Sequence, residues 1–227
     1  MAMQWHDLLF MHWPVPAAAL RPRIPAPLEL ETFDGAAWLG VVPFRMAGVR
    51  PRLAPAVRGL SAFPELNVRT YVRAGGKPGV WFFSLDAASP PAVELARLTF
   101  HLPYFTARMA CDGAGEGLRY HSERTHRGAP AAGFAAAYRP TGPAYAAAPG
   151  SLEHWLTERY CLYAANRRGR VWRGEIDHPP WPLQPAEAAV ARNTMAAPLG
   201  VALQGPPLLH FARRLDVVAW WPERVAG

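Results

Sequence analysis

One stretch of the chain decides the fold, and from residue 63 to residue 85 it reads FPELNVRTYVRAGGKPGVWFFSL. Two runs at 67–73 and 80–85 are rich in β-branched and aromatic residues, which strands favour. Between them, residues 74–79 carry three glycines and a proline, and glycine supplies the positive φ angles of a tight turn. The stretch therefore predicts an antiparallel hairpin.

Further hairpins are predicted on both sides of this one. Asp34-Gly35 lies between apolar-rich runs at 28–33 and 36–46, and an Asp-Gly pair in that setting is a strong hairpin signal. The remaining strand predictions are 105–111 with 118–123 across 112–117, 160–165 with 171–176 across 166–170, and a last strand at 208–220 with a break near Arg213-Arg214.

Helices are predicted at three places. Pro90-Pro91 opens a mostly apolar helix over 92–100, because proline is tolerated in the first turn. Ser151 can cap a helix over 152–159, and a third begins at Pro185 and runs to 192. The Ala/Pro/Gly-rich residues 129–150 are interpreted as a long surface loop.

Hairpins with inserted helices indicate an antiparallel or mixed sheet rather than alternating βαβ units. A twisted sheet of many strands tends to close on itself. We therefore expect a β-rich α+β fold, namely a closed or partly closed β-barrel with two or three short peripheral helices. A chain of 227 residues fits a single domain over 1–227.

The composition excludes several classes of protein. The net charge is +7, but the basic residues are scattered and Lys77 is the only lysine, so nucleic-acid binding is not expected. No basic segment precedes the first apolar stretch, and no apolar run is long enough to span a membrane, so we expect a cytoplasmic protein. Cys111 and Cys161 are interpreted as free thiols.

No cofactor or metal is expected from the motifs. The chain has no Gly-x-Gly-x-x-Gly, P-loop or Gly-x-Ser-x-Gly pattern. Its 8 histidines show neither the i, i+4 spacing nor the His-x-His spacing of a tight metal site. His210 lies in an apolar run and is the histidine that we expect to face inward.

Several segments together resemble the bacterial YqjF-like family, a domain of unknown function. The most distinctive is FPELNVRTYV at 63–72, and the others include MHWPV at 11–15, FDGAAWLGVVPF at 33–44 and WFFSLDA at 81–87. The resemblance covers nearly the whole chain. It implies a relationship to acetoacetate decarboxylase, whose fold is a cone-shaped β-barrel that encloses a pocket. A shared fold does not imply a shared reaction.

Acetoacetate decarboxylase uses a lysine that forms a Schiff base and whose pKa is lowered by a second lysine. This chain departs from that pattern. Its only lysine, Lys77, lies in the Gly-Gly-Lys-Pro-Gly turn, where an ammonium is solvated. We therefore do not expect Schiff-base chemistry.

The candidate site lies on the strand of the opening hairpin. Alternation places Glu65, Asn67, Arg69 and Tyr71 on one face and apolar residues on the other. The polar face either lines a pocket, in which Arg69 can form a bidentate pair with a carboxylate, or is a solvated or structural surface. Ser84 on the facing strand is in phase with Phe82 and is expected in the same pocket. Asp86 is in phase too, but is interpreted as a capping residue of the following turn.

Three functions are consistent with these residues. The leading hypothesis is a barrel that binds a small carboxylate or acyl compound through Glu65, Asn67 and Arg69. The alternative is an enzyme acting on a keto acid or related compound, with Glu65 as general acid/base and Arg69 stabilising an anion. The third is a structural or protein-interaction module. Homo-oligomerisation is left open.

Overall fold

A computed structural model describes residues 1–51, 55, 61–114, 117–166 and 168–225, except for the side chain of residue 114. These residues form one branched sheet and short helices. The strands are β1 (Ala2–Val15), β2 (Glu29–Leu30), β3 (Ala37–Arg50), β4 (Phe63–Ala74), β5 (Lys77–Ala87), β6 (Tyr104–Ala114), β7 (Gly117–Arg124), β8 (Gly133–Pro140), β9 (Cys161–Ala165), β10 (Val171–Asp177), β11 (Gln184–Asn193), β12 (Leu208–Ala219) and β13 (Glu223–Arg224).

The sheet branches at two strands. β5 pairs with β4, β6 and β9, and β12 pairs with β1, β10 and β11. Two rings result. One runs β1-β3-β4-β5-β9-β10-β12, and the other replaces β9 and β10 with β6, β7, β8 and β11. Some closing ladders are short, such as Ile176–Ala219 and Asp177–Val218 between β10 and β12, so the barrel is partly closed, as predicted.

Strand β4, which both rings share, is buried on both faces along most of its length. On β4, Leu66 and Val68 pack into a core with Met11 of β1 and Tyr120 of β7. The opposite face of β4 looks into the lumen of the ring that contains β9 and β10. We call that space the site lumen. This arrangement explains how a strand can alternate polar and apolar residues without having a face in water.

Three predicted hairpins are confirmed, namely β4–β5, β6–β7 and β9–β10. In the first, Gly75 and Gly76 have φ angles of 55° and 76°, which a two-residue turn of type I′ requires. The tip of the second includes residues 115 and 116, which lie outside the described residues.

The Asp34-Gly35 prediction is half right. Phe33 and Ala36 exchange backbone hydrogen bonds of 2.9 and 3.1 Å around this turn. The preceding run does not continue as a partner of β3, however. Its only strand, β2, pairs with Arg73 and Val72 of β4.

Three other predictions are wrong. The segment 185–192 is not a helix but part of β11, which pairs with β8 and β12. The supposed loop 129–150 contains β8. Alanine-rich sequence carries weak strand propensity, and here pairing with neighbouring strands overrides it. β12 also continues through Arg213-Arg214 without a break, and the long N-terminal strand β1 was not predicted.

The helices are short and peripheral. They are α1 (Ala17–Leu20), α2 (Pro90–Thr99) and α3 (Leu152–Thr157), together with 3-10 turns at Arg21–Arg23 and Ala197–Leu199. The predicted cap of α3 is confirmed, because the backbone N–H of His154 donates to Ser151 Oγ at 3.2 Å. Among the described residues, no helix has the length and apolar character needed to cross a membrane.

Candidate functional site

The site lumen contains a cavity of about 190 Å³. Most of its wall is apolar, with large side chains such as Trp5, Phe44, Phe82 and Leu102. A few polar side chains interrupt this wall. They are Glu65, Asn67 and Arg69 of β4, Tyr104 of β6, and Thr157, Arg159 and His178 from the segments that follow α3 and β10. An apolar pocket with a few convergent polar groups is typical of a small-molecule site.

The polar face of β4 is therefore not a solvated surface. Glu65, Asn67 and Arg69 retain only 2%, 5% and 8% of their accessible surface. The two-residue period of the strand points all three into the cavity, while Leu66 and Val68 face the other core. The sequence placed these three residues together, and the structure brings them together.

Glu65 is a neutral acid at pH 7. Burial raises the pKa of its carboxyl to about 8, and the carboxylate of Asp86 adds to the rise, against a hydrogen bond from Tyr104. The Tyr104 hydroxyl donates to Glu65 Oε2 at 2.9 Å. Burial also raises the pKa of Tyr104 well above its usual value. Both groups are therefore held in their neutral, protonated forms and add no negative charge to the cavity.

Arg69 is a buried cation without a carboxylate partner. Its Nη2 donates to the backbone oxygen of Leu156 at 3.3 Å, and its Nε has no hydrogen-bond partner among the described residues. No acidic group in the described part of the chain forms an ion pair with it. The guanidinium lies 5.3 Å from the ring of Phe10 and 5.8 Å from that of Tyr71.

A second arginine enters the same cavity from the segment after α3. Arg159 pairs with Glu31 through Nη1 at 2.5 Å and donates from Nε to Trp155 O at 2.7 Å. Its Nη2 is buried and has no partner in the described residues. Sequence reasoning missed Arg159, because nothing in the chain order shows that the end of α3 reaches the polar face of β4.

Other buried polar atoms at this cavity also have no hydrogen-bond partner within the described ranges. They are Asn67 Oδ1 and the indole nitrogens of Trp5 and Trp181. Native proteins rarely leave such atoms unsatisfied, because each costs about 1–3 kcal/mol. The two indole N–H groups, Arg69 Nε and Arg159 Nη2 are donors, which an anion rich in acceptors would match, whereas Asn67 Oδ1 is an acceptor and needs a donor.

Tyr71 stands behind Arg69 rather than on the cavity wall. Its hydroxyl is 2.7 Å from His12 Nε2. Burial, followed by the charge of Arg69, lowers the pKa of His12 well below its usual value, so the neutral ring can accept a hydrogen bond from the Tyr71 hydroxyl. Gly40 makes room for this pair, since a Cβ there would lie 3.0 Å from the His12 ring and 3.3 Å from Arg69 Cγ.

Ser84 does not share the cavity with Glu65, contrary to expectation. A bulge between Val68 and Arg69 in the β4–β5 ladder places Arg69 opposite Phe82 and Val68 opposite Ser84, which leaves Phe83 as the extra residue. A bulge changes the alternation of every residue beyond it. Ser84 therefore lies on the apolar side of β4.

The same bulge reverses Asp86, which does not cap the next turn. Its carboxylate instead receives two hydrogen bonds from Arg124 of β7, at 2.8 and 3.0 Å. The side chains of both residues are almost fully buried, at 0% and 2% exposure. Asp86 and Arg124 thus link β5 to β7 in the ring that contains β6, β7, β8 and β11.

The remaining candidates lie elsewhere. Lys77 is at the start of β5 and pairs with Glu175 at 2.5 Å, and it is not among the residues that line the cavity. His210 is buried, as predicted. Cys111 and Cys161 are free thiols. Within the described ranges, no cluster of three or more His, Cys, Asp or Glu could hold a metal ion.

Comparison with known sequences gives two matches over most of the chain. The profile of DUF2071, described as an uncharacterized conserved protein, matches residues 2–216. The uncharacterized protein YqjF of Bacillus subtilis strain 168 is 46% identical over 225 residues, which is 99% of this chain and 91% of that protein.

Comparison with solved structures shows the fold. Acetoacetate decarboxylase from Legionella pneumophila aligns with a TM-score of 0.65 at 14% identity, over 100% of this chain and 88% of that one. The enduracididine biosynthesis enzyme MppR, in its complex with pyruvate, aligns with a TM-score of 0.65 at 11% identity, over 100% of this chain and 91% of that one. The barrel is therefore of the acetoacetate-decarboxylase-like type.

Proposed function

This chain belongs to the DUF2071 family of uncharacterized conserved proteins, and from that premise we propose that it binds a small carboxylate or acyl compound in the cavity beside β4. In this proposal, Arg69 and Arg159 hold the carboxylate or acyl oxygen. Asn67 and Glu65 can hydrogen-bond a further polar atom where the ligand carries one, and Tyr71 holds Arg69 in place. Ser84 has no contact with the ligand.

The observation that carries the proposal is the environment of Arg69. A buried cation without a counter-ion is costly, and proteins normally pair such groups. Here the guanidinium faces an apolar cavity beside a second arginine with a free N–H. An anionic ligand would supply the missing charge and satisfy both donors at once. MppR, which shares the fold, has been solved with pyruvate, a small carboxylate.

The proposal is tested by a thermal-shift screen of pyruvate, acetoacetate and straight-chain carboxylates, followed by calorimetry of every compound that raises the melting temperature. Ligands that bind only the folded state stabilise it. Arg69→Met should weaken binding of each positive compound by about 10- to 100-fold, the value of a hydrogen bond to a charged group.

The matched control is Arg119→Met, which removes an exposed arginine of β7 away from this cavity. It changes the net charge equally and should leave affinity unchanged. Binding that survives in Arg69→Met, or that falls equally in both variants, would remove Arg69 from the site.

A second function, an enzyme acting on a keto acid, is favoured by one observation, namely the neutral Glu65 bonded to Tyr104. An acid whose pKa lies near neutrality is suited to general acid/base catalysis. If the protein turns over a keto acid, proton NMR will show product with the wild type, and Glu65→Gln will abolish product while retaining binding. If neither protein makes product, the binding function stands alone.

The third class, a structural or interaction module, has less support. It requires a lumen filled by the protein's own side chains. The cavity of about 190 Å³ and its unsatisfied polar atoms speak against that arrangement.

A further inference from the structure

Helix α2 turns one face toward the cavity. Ala92, Leu95 and Ala96 line it, and their i, i+3, i+4 spacing puts them on one side of the helix. Phe100, directly after the helix, lines it too. Leu98 is not among the residues that line the cavity, and it borders a separate surface groove.

This face differs from the rest of the wall in size and exposure. The strands contribute mainly large apolar side chains, whereas α2 contributes two alanines. Leu95 lines the cavity and yet is 60% exposed, so the cavity opens to the surface beside this helix. A wall of small residues at an opening leaves room for part of a ligand to pass.

The helix is held in position by other contacts. Val93 is fully buried in a core cluster with Leu85 and Leu102. Arg97 Nη1 donates to the backbone oxygen of Tyr104 at 2.5 Å. Phe100 stacks on Trp221 with ring centroids 5.2 Å apart. These contacts fix which residues α2 presents to the cavity.

The arginine end of the cavity, at Arg69, lies away from α2. Glu65 pairs with Ala87, shortly before α2 begins, whereas Arg69 lies four residues further along β4 and contacts Leu156 of α3. At the rise of a strand, Arg69 is about 13 Å along β4 from Glu65, the residue paired with the segment just before α2. A carboxylate held by Arg69 therefore needs an extended apolar chain to reach α2.

The cavity volume sets the size of the enclosed part. An apolar cavity of about 150 Å³ holds benzene, so the roughly 190 Å³ here encloses about eight non-hydrogen atoms. Longer compounds must continue through the opening beside Leu95.

We propose that the ligand is an unbranched medium-chain monocarboxylate, whose chain runs from Arg69 across the apolar wall formed by residues such as Phe82, Leu85 and Leu102 and leaves beneath α2, with Ala92 and Ala96 setting the accepted chain length. This inference rests on the proposed function, and it names the class of ligand and the residues that select it.

The test is calorimetric titration of butanoate, hexanoate, octanoate and decanoate into the wild type and Ala96→Phe. In the wild type, each added methylene should raise affinity about fourfold until the chain reaches solvent. A phenyl group at position 96 fills the path of the chain. It should weaken octanoate and decanoate by about tenfold or more and change butanoate by less than about twofold.

Leu98→Phe is the matched control, because it enlarges an exposed side chain of the same helix that does not line the cavity. Its chain-length profile should equal that of the wild type. Leu95→Ala is a second variant that does not crowd the cavity. It should weaken decanoate several-fold and leave hexanoate unchanged.

The outcomes separate this inference from the function on which it depends. If the wild type binds none of the four acids and no other carboxylate, both are wrong. If it binds carboxylates but affinity does not rise with chain length, or if Ala96→Phe affects short and long acids equally, only the role of α2 is overturned.

Discussion

At the scale of the residue, we expect Arg69 to favour ligand binding while it lowers the stability of the ligand-free protein. Its charge is buried, its Nη2 makes a long hydrogen bond to the backbone oxygen of Leu156, and its Nε has no partner among the described residues. Replacing buried ionic groups with apolar ones of similar volume is often stabilising. We expect Arg69→Met to raise the free energy of unfolding of the ligand-free protein by about 1–3 kcal/mol, measured by urea denaturation.

The comparison for this prediction is Arg159→Met, which removes an arginine that does have a partner. That change removes the buried one of the two arginines that pair with Glu31 and leaves only the more exposed Arg73. It should therefore destabilise the protein. Arg69 would prove to be a structural residue if both variants lost stability to a similar degree.

Glu65 makes stability depend on pH in an unusual direction. The pKa of this carboxyl rises from 4.5 to about 8 on folding. Between those values the folded protein keeps a proton that the unfolded chain has released, so its stability falls as pH rises. The contribution is complete below pH 4.5 and is lost as pH increases through 8.

We expect the wild type to lose roughly 1 kcal/mol per pH unit across this window relative to Glu65→Gln, whose amide cannot ionise. The variant serves as the reference because His12 and His210, whose pKa values are lowered by burial, contribute slopes of the opposite sign to both proteins. Urea midpoints at several pH values measure the difference. Parallel curves for the two proteins would mean that Glu65 is ionised in the folded state.

At the scale of the element, the bulge in β5 decides which side chains reach the cavity. Without Phe83 as the extra residue, Ser84 and Asp86 would share a face with Phe82. With it, Asp86 meets Arg124 of β7 in a buried pair. The bulge therefore separates the polar groups of the cavity from those that join the two rings.

We predict that Arg124→Met destabilises the protein by about 3–5 kcal/mol, because it leaves the Asp86 carboxylate buried and unpaired. The double variant Asp86→Leu/Arg124→Met removes both charges and should recover most of the loss. Thermal and urea unfolding measure both variants. A single variant with unchanged stability would show that water reaches Asp86.

Sequence reasoning succeeded where the signal is local. The Gly75-Gly76 turn, the strands around it and the Ser151 cap depend on neighbouring residues, and all were predicted. The bulge was not, since Phe83 differs in no obvious way from other strand residues. β11 was taken for a helix because Pro185 and alanines suggest one, while its actual state depends on pairing with distant β8.

At the scale of the whole molecule, the site depends on ring closure. The polar face of β4 was predictable from alternation within one strand. Tyr104, Arg159 and His12 reach that face only because β6, the end of α3 and β1 are brought beside it. Such convergence across the chain has no periodic signature, so these three residues could not be assigned from the sequence.

The shared strands should also be the most stable part of the molecule. Nearly all of β4 is buried on both faces, whereas β11 alternates between partly and fully exposed residues. We predict that amides of β4 exchange with deuterium only through global unfolding and that those of β11 exchange sooner. Hydrogen-exchange mass spectrometry of peptides from the two strands measures this. Equal protection would mean that the rings open as one unit.

The two-ring layout also bears on how such a protein can diversify. Neither face of β4 can vary freely in sequence, because one face packs into a core and the other lines the cavity. Helix α2 and strands β9 and β10 line the cavity without being shared by both rings. Substitutions in those elements can therefore change the ligand preference during evolution, while the strands shared by both rings keep their sequence and preserve the fold.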